Sequence, residues 1–78
     1  MYSILYVKLT LLKMVLGRNR LRQVREEYGL SQERLAQEVG VTRQTIISIE
    51  GGRYVPSLEL ALRMAKRFKS KVEDLFGI

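Results

Sequence analysis

The sequence predicts an all-α domain of short, individually capped helices, with a mostly apolar extension ahead of it. Three observations carry that expectation. From Asn19 onward, apolar residues recur at spacings of three and four, the period of a helix with one buried stripe. Ser31, Thr42 and Ser57 each precede such a stripe, where a hydroxyl can accept from the free amides of an opening turn. Gly29 and Gly40 follow two of the stripes, where the chain must turn left-handed and a Cβ is penalised. The 78 residues allow one small, marginally stable domain. The expected division is an extension over 1–16 and a helical domain over 17–78.

Residues 1–16 hold Tyr2, Ile4, Leu5, Tyr6, Val7, Leu9, Leu11, Leu12, Met14, Val15 and Leu16, interrupted by Lys8 and Lys13. The segment is too short and too interrupted for a membrane span, and it lacks the basic start and small-residue cleavage site of a secretory signal. Its β-branched and aromatic residues favour a strand over Tyr2 to Thr10, and the Leu-rich second half suits a helix. A first domain helix is expected over about Asn19 to Tyr28, with Leu21, Val24 and Tyr28 on one face. Arg18, Arg20 and Arg22 crowd its start, where the helix dipole disfavours cations. They point to an external anion such as a phosphate, or to a solvated basic end.

The run from Ser31 to Glu50 reads as two short helices joined by a tight turn. Leu35, Ala36 and Val39 give the first an apolar stripe; Gly40 ends it and Val41 plugs the turn from below. Thr42 caps the second helix, whose inward residues are Ile46 and Ile49. Ala36 is small where the second helix must cross closely. Arg43, Gln44, Ile47 and Ser48 then face outward. Arg, Gln and Ser can reach base edges in a major groove, and Ile can touch a thymine methyl. The bland reading is a helical hairpin with a solvated polar face.

Beyond Glu50, Gly51 and Gly52 end the helix and allow a close approach of backbone to phosphate. Arg53 and Tyr54 follow as a charged and a neutral phosphate donor. Pro56 breaks the chain, Ser57 caps the next helix, and Glu59 suits its dipole. Leu58, Ala61, Leu62, Ala65 and Phe68 are expected on its inner face. Arg63, Lys66, Arg67 and Lys69 are most simply favourable charges on its other side and near its C-terminus. A last helix over about Lys71 to Phe76 returns Val72, Leu75 and Phe76 to the core.

From about Asn19 to Phe76 the chain resembles the Cro and phage-repressor type helix-turn-helix family, often called the XRE family. The matching runs are Arg20-Leu21-Arg22-Gln23-Val24-Arg25, Gly29 to Ala36, Gly40 to Ile46, Ile49 to Arg53 and Pro56-Ser57-Leu58. The resemblance implies a compact five-helix, repressor-like domain that reads operator DNA. It also implies that Arg25 pairs with Glu50, and that Gln32 bonds a phosphate while bracing the second helix of the motif. Gly51 departs from the family pattern, which has Asn followed by Gly. Family domains normally begin near the position of Gly17, so Met14 is an alternative start and residues 1–13 an untranslated leader. The competing reading makes the segment an arm that pairs two subunits as an antiparallel ribbon.

Composition narrows the function. There is no cysteine and no histidine, and Asp74 is the single aspartate, so disulfides, a Cys or His metal site and a catalytic constellation find no residues to build on. No cofactor and no small-molecule ligand is indicated. The net charge of +6 fits a polyanion. A membrane surface fits the charge equally well, but nothing else in the sequence points to one. The expectation is a cytoplasmic, homodimeric regulator of transcription, a repressor by preference, that binds a double-stranded operator. Arg43, Gln44, Ile47 and Ser48 would contact bases, and Arg18, Arg20, Gln32, Thr42, Arg53 and Tyr54 phosphates. The alternative is a protein-interaction module of the same fold, such as an antitoxin or a coactivator-like adaptor.

Overall fold

The computed structural model describes residues 3–15 and 19–76, and every regular element among them is a helix. In chain order these are α1 (Ile4–Val15), α2 (Leu21–Glu27), α3 (Gln32–Val39), α4 (Arg43–Glu50), α5 (Leu58–Arg67) and α6 (Val72–Phe76). None but α1 exceeds ten residues, too short to stand alone in water, so packing holds them. Leu21, Leu35, Ile46, Ile49, Met64, Phe68, Leu75 and Phe76 are fully enclosed and supply most of that packing. Burying one such side chain is worth about 1.5–3 kcal/mol relative to leaving it in water.

The caps act through their hydroxyls. Ser31, Thr42 and Ser57 accept from the backbone amides of Arg34, Thr45 and Leu60 respectively, at 3.0, 3.2 and 3.2 Å. Gly40 closes α3 at φ 79°, ψ 34°, and the amides of Gly40 and Val41 both donate to the Ala36 carbonyl at 2.9 Å. This makes the turn to α4 sharp, with Val41 half-buried beneath it.

The first half of the extension departs from expectation. It is not a strand: Ile4–Val15 is one helix, which also takes in the Leu-rich second half expected to be helical, with the Ser3 hydroxyl accepting from the Tyr6 amide at 3.1 Å. A lone strand leaves a row of amides and carbonyls unpaired, whereas a helix satisfies them within the segment. Residues 4–10 of the segment expected to form the antiparallel ribbon are helical here instead. The helix folds back onto the domain: α1 packs on α6, and the Tyr6 hydroxyl donates to Glu73 Oε2 at 2.6 Å. Tyr2 and residues 16–18 lie outside the described residues.

A second correction concerns α5. Leu58 and Leu62 are 70% and 52% exposed, while Leu60 and Met64 lie in the core beside Ala61, Ala65 and Phe68. Two stripes share Ala61, Ala65 and Phe68 and differ only in their larger members. Pro56 is buried in the preceding loop, and Leu58, two residues on, points outward. Tyr28 is also half-exposed rather than inward; its ring meets Phe68 edge-on at 5.0 Å and its hydroxyl donates to the Phe68 carbonyl.

Candidate nucleic-acid interface

The helix α4 is held on its inner side by Ile46 and Ile49, packed across Ala36 and Val39 of α3. Its other side carries polar residues. Arg43 and Gln44 are exposed, and Ile47 and Ser48 half-buried beside them. Gln44 Nε2 lies 3.5 Å from Ser48 Oγ, one turn on, too long to hold either group against a better partner. Both remain available to an external partner. The Thr42 hydroxyl is engaged as the cap of α4 and lies 3.0 Å from the Thr45 hydroxyl.

An open cleft lies between the start of α3 and the start of α4, lined by Arg22, Arg25, Ser31, Gln32, Glu33 and Arg43. Gln32 spans it. Its Nε2 donates to Glu50 Oε1 at 3.1 Å, and its Oε1 faces Arg43 Nη2 at 3.4 Å, so one amide touches both ends of α4. Arg20 is exposed at the start of α2. Arg18 lies outside the described residues.

The loop after α4 carries the other predicted phosphate donors. Gly51 ends the helix at φ −82°, an ordinary right-handed conformation, and Gly52 is the left-handed residue at φ 74°. The amides of Gly51, Gly52 and Arg53 donate to the carbonyls of Ile47, Ile49 and Ser48 respectively, so the glycine pair forms a closed turn. A Cβ at Gly51 would stand 2.7 Å from Arg53 Nη1; the guanidinium therefore lies over the bare Cα. Arg53 is exposed and Tyr54 is half-exposed.

Behind this surface, Arg25 and Glu50 form an enclosed ion pair. Arg25 Nε donates to Glu50 Oε2 at 2.6 Å and Nη2 to Oε1 at 3.2 Å, with the two side chains 9% and 5% exposed. Arg25 Nη1 also donates to the Leu30 carbonyl at 2.7 Å, so the guanidinium ties α2, the turn before α3 and the end of α4. At the rear, Glu38 accepts from Arg67 of α5 and from Arg34. The hydrogen bond from Arg67, and next that from Arg34, hold its carboxyl below the ordinary value of 4.5. Arg63 reaches from α5 to the Val39 carbonyl at 3.3 Å and satisfies one free acceptor at the end of α3.

Sequence reasoning passed over Asn19. Its Nδ2 donates to the Ile49 carbonyl at 2.9 Å and its Oδ1 accepts from the Leu21 amide at 3.1 Å. The signal for the second bond was present, an Asn two residues ahead of a helix. The first joins segments thirty residues apart, and no local pattern announces it.

A short helix buried on one side, crossed closely by a capped partner and polar on its outer face, defines a helix-turn-helix unit. Comparison with known proteins agrees: a family model described as helix-turn-helix matches residues 21–75. The chain belongs to that helix-turn-helix family. It is 52% identical over 61 residues to the HTH-type transcriptional regulator YgzD of Bacillus subtilis, covering 78% of this chain and 92% of that one. An HTH-type transcriptional regulator of Methanothermobacter thermautotrophicus is 55% identical over 60 residues, covering 76% and 87%. Among solved structures, the restriction-modification controller protein C.AhdI from Aeromonas hydrophila superposes with a TM-score of 0.68 at 35% identity, covering 81% of this chain and 94% of that one.

Proposed function

We propose that this chain is a sequence-specific DNA-binding repressor that works as a homodimer and lays α4 in the major groove of each half-site. The observation that carries the reading is the outward face of α4, where Arg43, Gln44, Ile47 and Ser48 stand together on a helix whose other side is buried. That face offers donors, an amide that can bond N6 and N7 of adenine, and an apolar patch for a thymine methyl. Flanking it, Arg20, Gln32, Arg53 and Tyr54 supply the phosphate contacts that set register, with Arg18 and the Thr42 hydroxyl assigned the same role. The relatives' names as transcriptional regulators and the controller-protein neighbour support the regulatory role.

The second subunit docks on the outer face of α5. Leu58 and Leu62 lie one turn apart there, exposed, with Val55 and Tyr54 just before them. Apolar residues gathered in this way mark an interaction surface. This one continues from the loop bearing Arg53 and Tyr54, so a two-fold axis through it brings both loops, and with them both α4 helices, to one side of the dimer. Two recognition helices must lie about 34 Å apart to meet successive major grooves. The role is binding, without catalysis or cofactor, in the compartment that holds the DNA. No helix among the described residues is long and apolar enough to cross a membrane.

Selecting duplexes from a random pool tests the reading. A recovered site with two-fold symmetry and half-sites about one helical turn apart supports it. Recovery of no preferred sequence, with binding that follows charge alone, contradicts it and favours a protein-interaction module.

A further inference from the structure

We infer that Asn19 is a positioning residue for the recognition helix and fixes the rotation of α4 about its own axis. The inference rests on the DNA-reading role just proposed for α4. The last turn of α4 is tied to α2 at two places. At one, Glu50 is gripped by Arg25 from the last turn of α2. At the other, the Ile49 carbonyl accepts from Asn19, which sits ahead of the first turn of α2.

The buried Ile46 and Ile49 and the Gln32 amide already limit rotation of α4. Two ties from opposite ends of α2, to neighbouring residues of α4, narrow what freedom is left. Asn19 is itself held: its side-chain Oδ1 accepts from the Leu21 amide, and the backbone amide of the next residue, Arg20, donates to the Leu75 carbonyl at 2.7 Å. Asn19 thereby references α4 to both α2 and α6.

Magnitudes decide whether this matters. Side-chain tips stand about 5–6 Å from a helix axis, so a rotation of about 10–20° moves them about 1–2 Å. A hydrogen-bonding site tolerates displacements of about 0.5 Å. A small rotation of α4 is therefore enough to carry the Gln44 amide off a base edge. Phosphate contacts from Arg20 and Arg53 arise on neighbouring segments and survive it. Loss of the Asn19 tie should lower the preference for one sequence over another while leaving general DNA affinity nearly intact.

Two variants separate this role from simple support of the turn into α2. Asn19→Ser keeps an acceptor for the Leu21 amide but is too short to reach Ile49. Asn19→Asp keeps that acceptor and removes the donor. Both should melt close to wild type. In the full-length chain without DNA, amide hydrogen exchange at Gly51, Gly52 and Arg53 should quicken. In competition binding, the ratio of affinity for the selected site to that for a scrambled duplex should fall by about fivefold or more, with scrambled-duplex affinity of Asn19→Ser within about twofold of wild type. Unchanged exchange overturns the tie. Quickened exchange with an unchanged ratio overturns the positioning role. A ratio that falls only in step with melting temperature shows a structural residue and overturns it as well. If the wild-type chain itself discriminates between no duplexes, the DNA-reading role fails and the positioning role with it, while the exchange measurement still decides whether the tie exists.

Discussion

Arg25 and Glu50 face each other through two hydrogen bonds, at 2.6 and 3.2 Å, in a setting that leaves both side chains less than a tenth exposed. Such a pair is poor evidence of added stability, because desolvating two charges offsets most of their attraction. Removing one partner is another matter.

Arg25→Ala strands the Glu50 carboxylate with Gln32 as its remaining side-chain donor. The expected loss is about 3–5 kcal/mol, against a total stability of about 5–15 kcal/mol for native proteins, with a domain this small at the low end. The variant should be unfolded or nearly so at 37 °C by circular dichroism. The double variant Arg25→Met, Glu50→Leu should recover most of the loss. A single variant that melts within a few degrees of wild type contradicts the enclosed pair.

Glu38 gives the fold a defined response to acid. Hydrogen bonds from Arg67 and Arg34 depress its pKa below 4.5. A depressed carboxylate contributes stability that is fully present above its unfolded value and is lost as pH falls through the folded value. Melting temperatures of wild type and Glu38→Gln should therefore differ at neutral pH and converge as the pH is lowered below 4.5. A gap that stays constant with pH removes Glu38 from the acid response.

Leu62→Lys tests the dimer surface. Leu62 is more than half exposed, so the substitution should change the stability of a lone subunit by no more than about 0.5 kcal/mol. In the dimer it brings two like charges to the axis. Sedimentation should show a dimer for wild type and a monomer for the variant at the same concentration. A variant that remains dimeric moves the interface elsewhere.

Arg53→Ala should weaken binding to every duplex alike and flatten the dependence of log affinity on log salt by about one unit, as expected for a single phosphate contact. Titrations at several ionic strengths measure this. An unchanged slope excludes Arg53 from the backbone contacts.

What the sequence made legible was local. Ser31, Thr42, Ser57 and Gly40 announce themselves because a cap or a left-handed turn restricts the residue at one position, and the structure uses all four in that way. The polar outer side of α4 followed from the helical period once Ile46 and Ile49 were inward. The misreadings share a cause. On α5, Leu58 and Leu62 compete with Leu60 and Met64 for the inner face, and periodicity cannot choose between two stripes that share Ala61, Ala65 and Phe68. Residues 4–10 have strand-forming side chains, but a strand needs a neighbour for its backbone hydrogen bonds, and the helix that forms satisfies them within the segment. Asn19, Arg63 and Arg67 act through partners distant in the chain. Those contacts exist only once the helices are assembled.

The most direct test of the account is the behaviour of Gln44→Ala on two duplexes, the selected operator and a scrambled one of equal length. If α4 reads bases through Gln44, affinity for the operator should fall by about 1–3 kcal/mol per disrupted contact. Affinity for the scrambled duplex should barely move, and repeated selection with the variant should relax the choice at one base pair in each half-site. Equal weakening on both duplexes, with selection unchanged, contradicts the claim that this face of α4 reads sequence through Gln44.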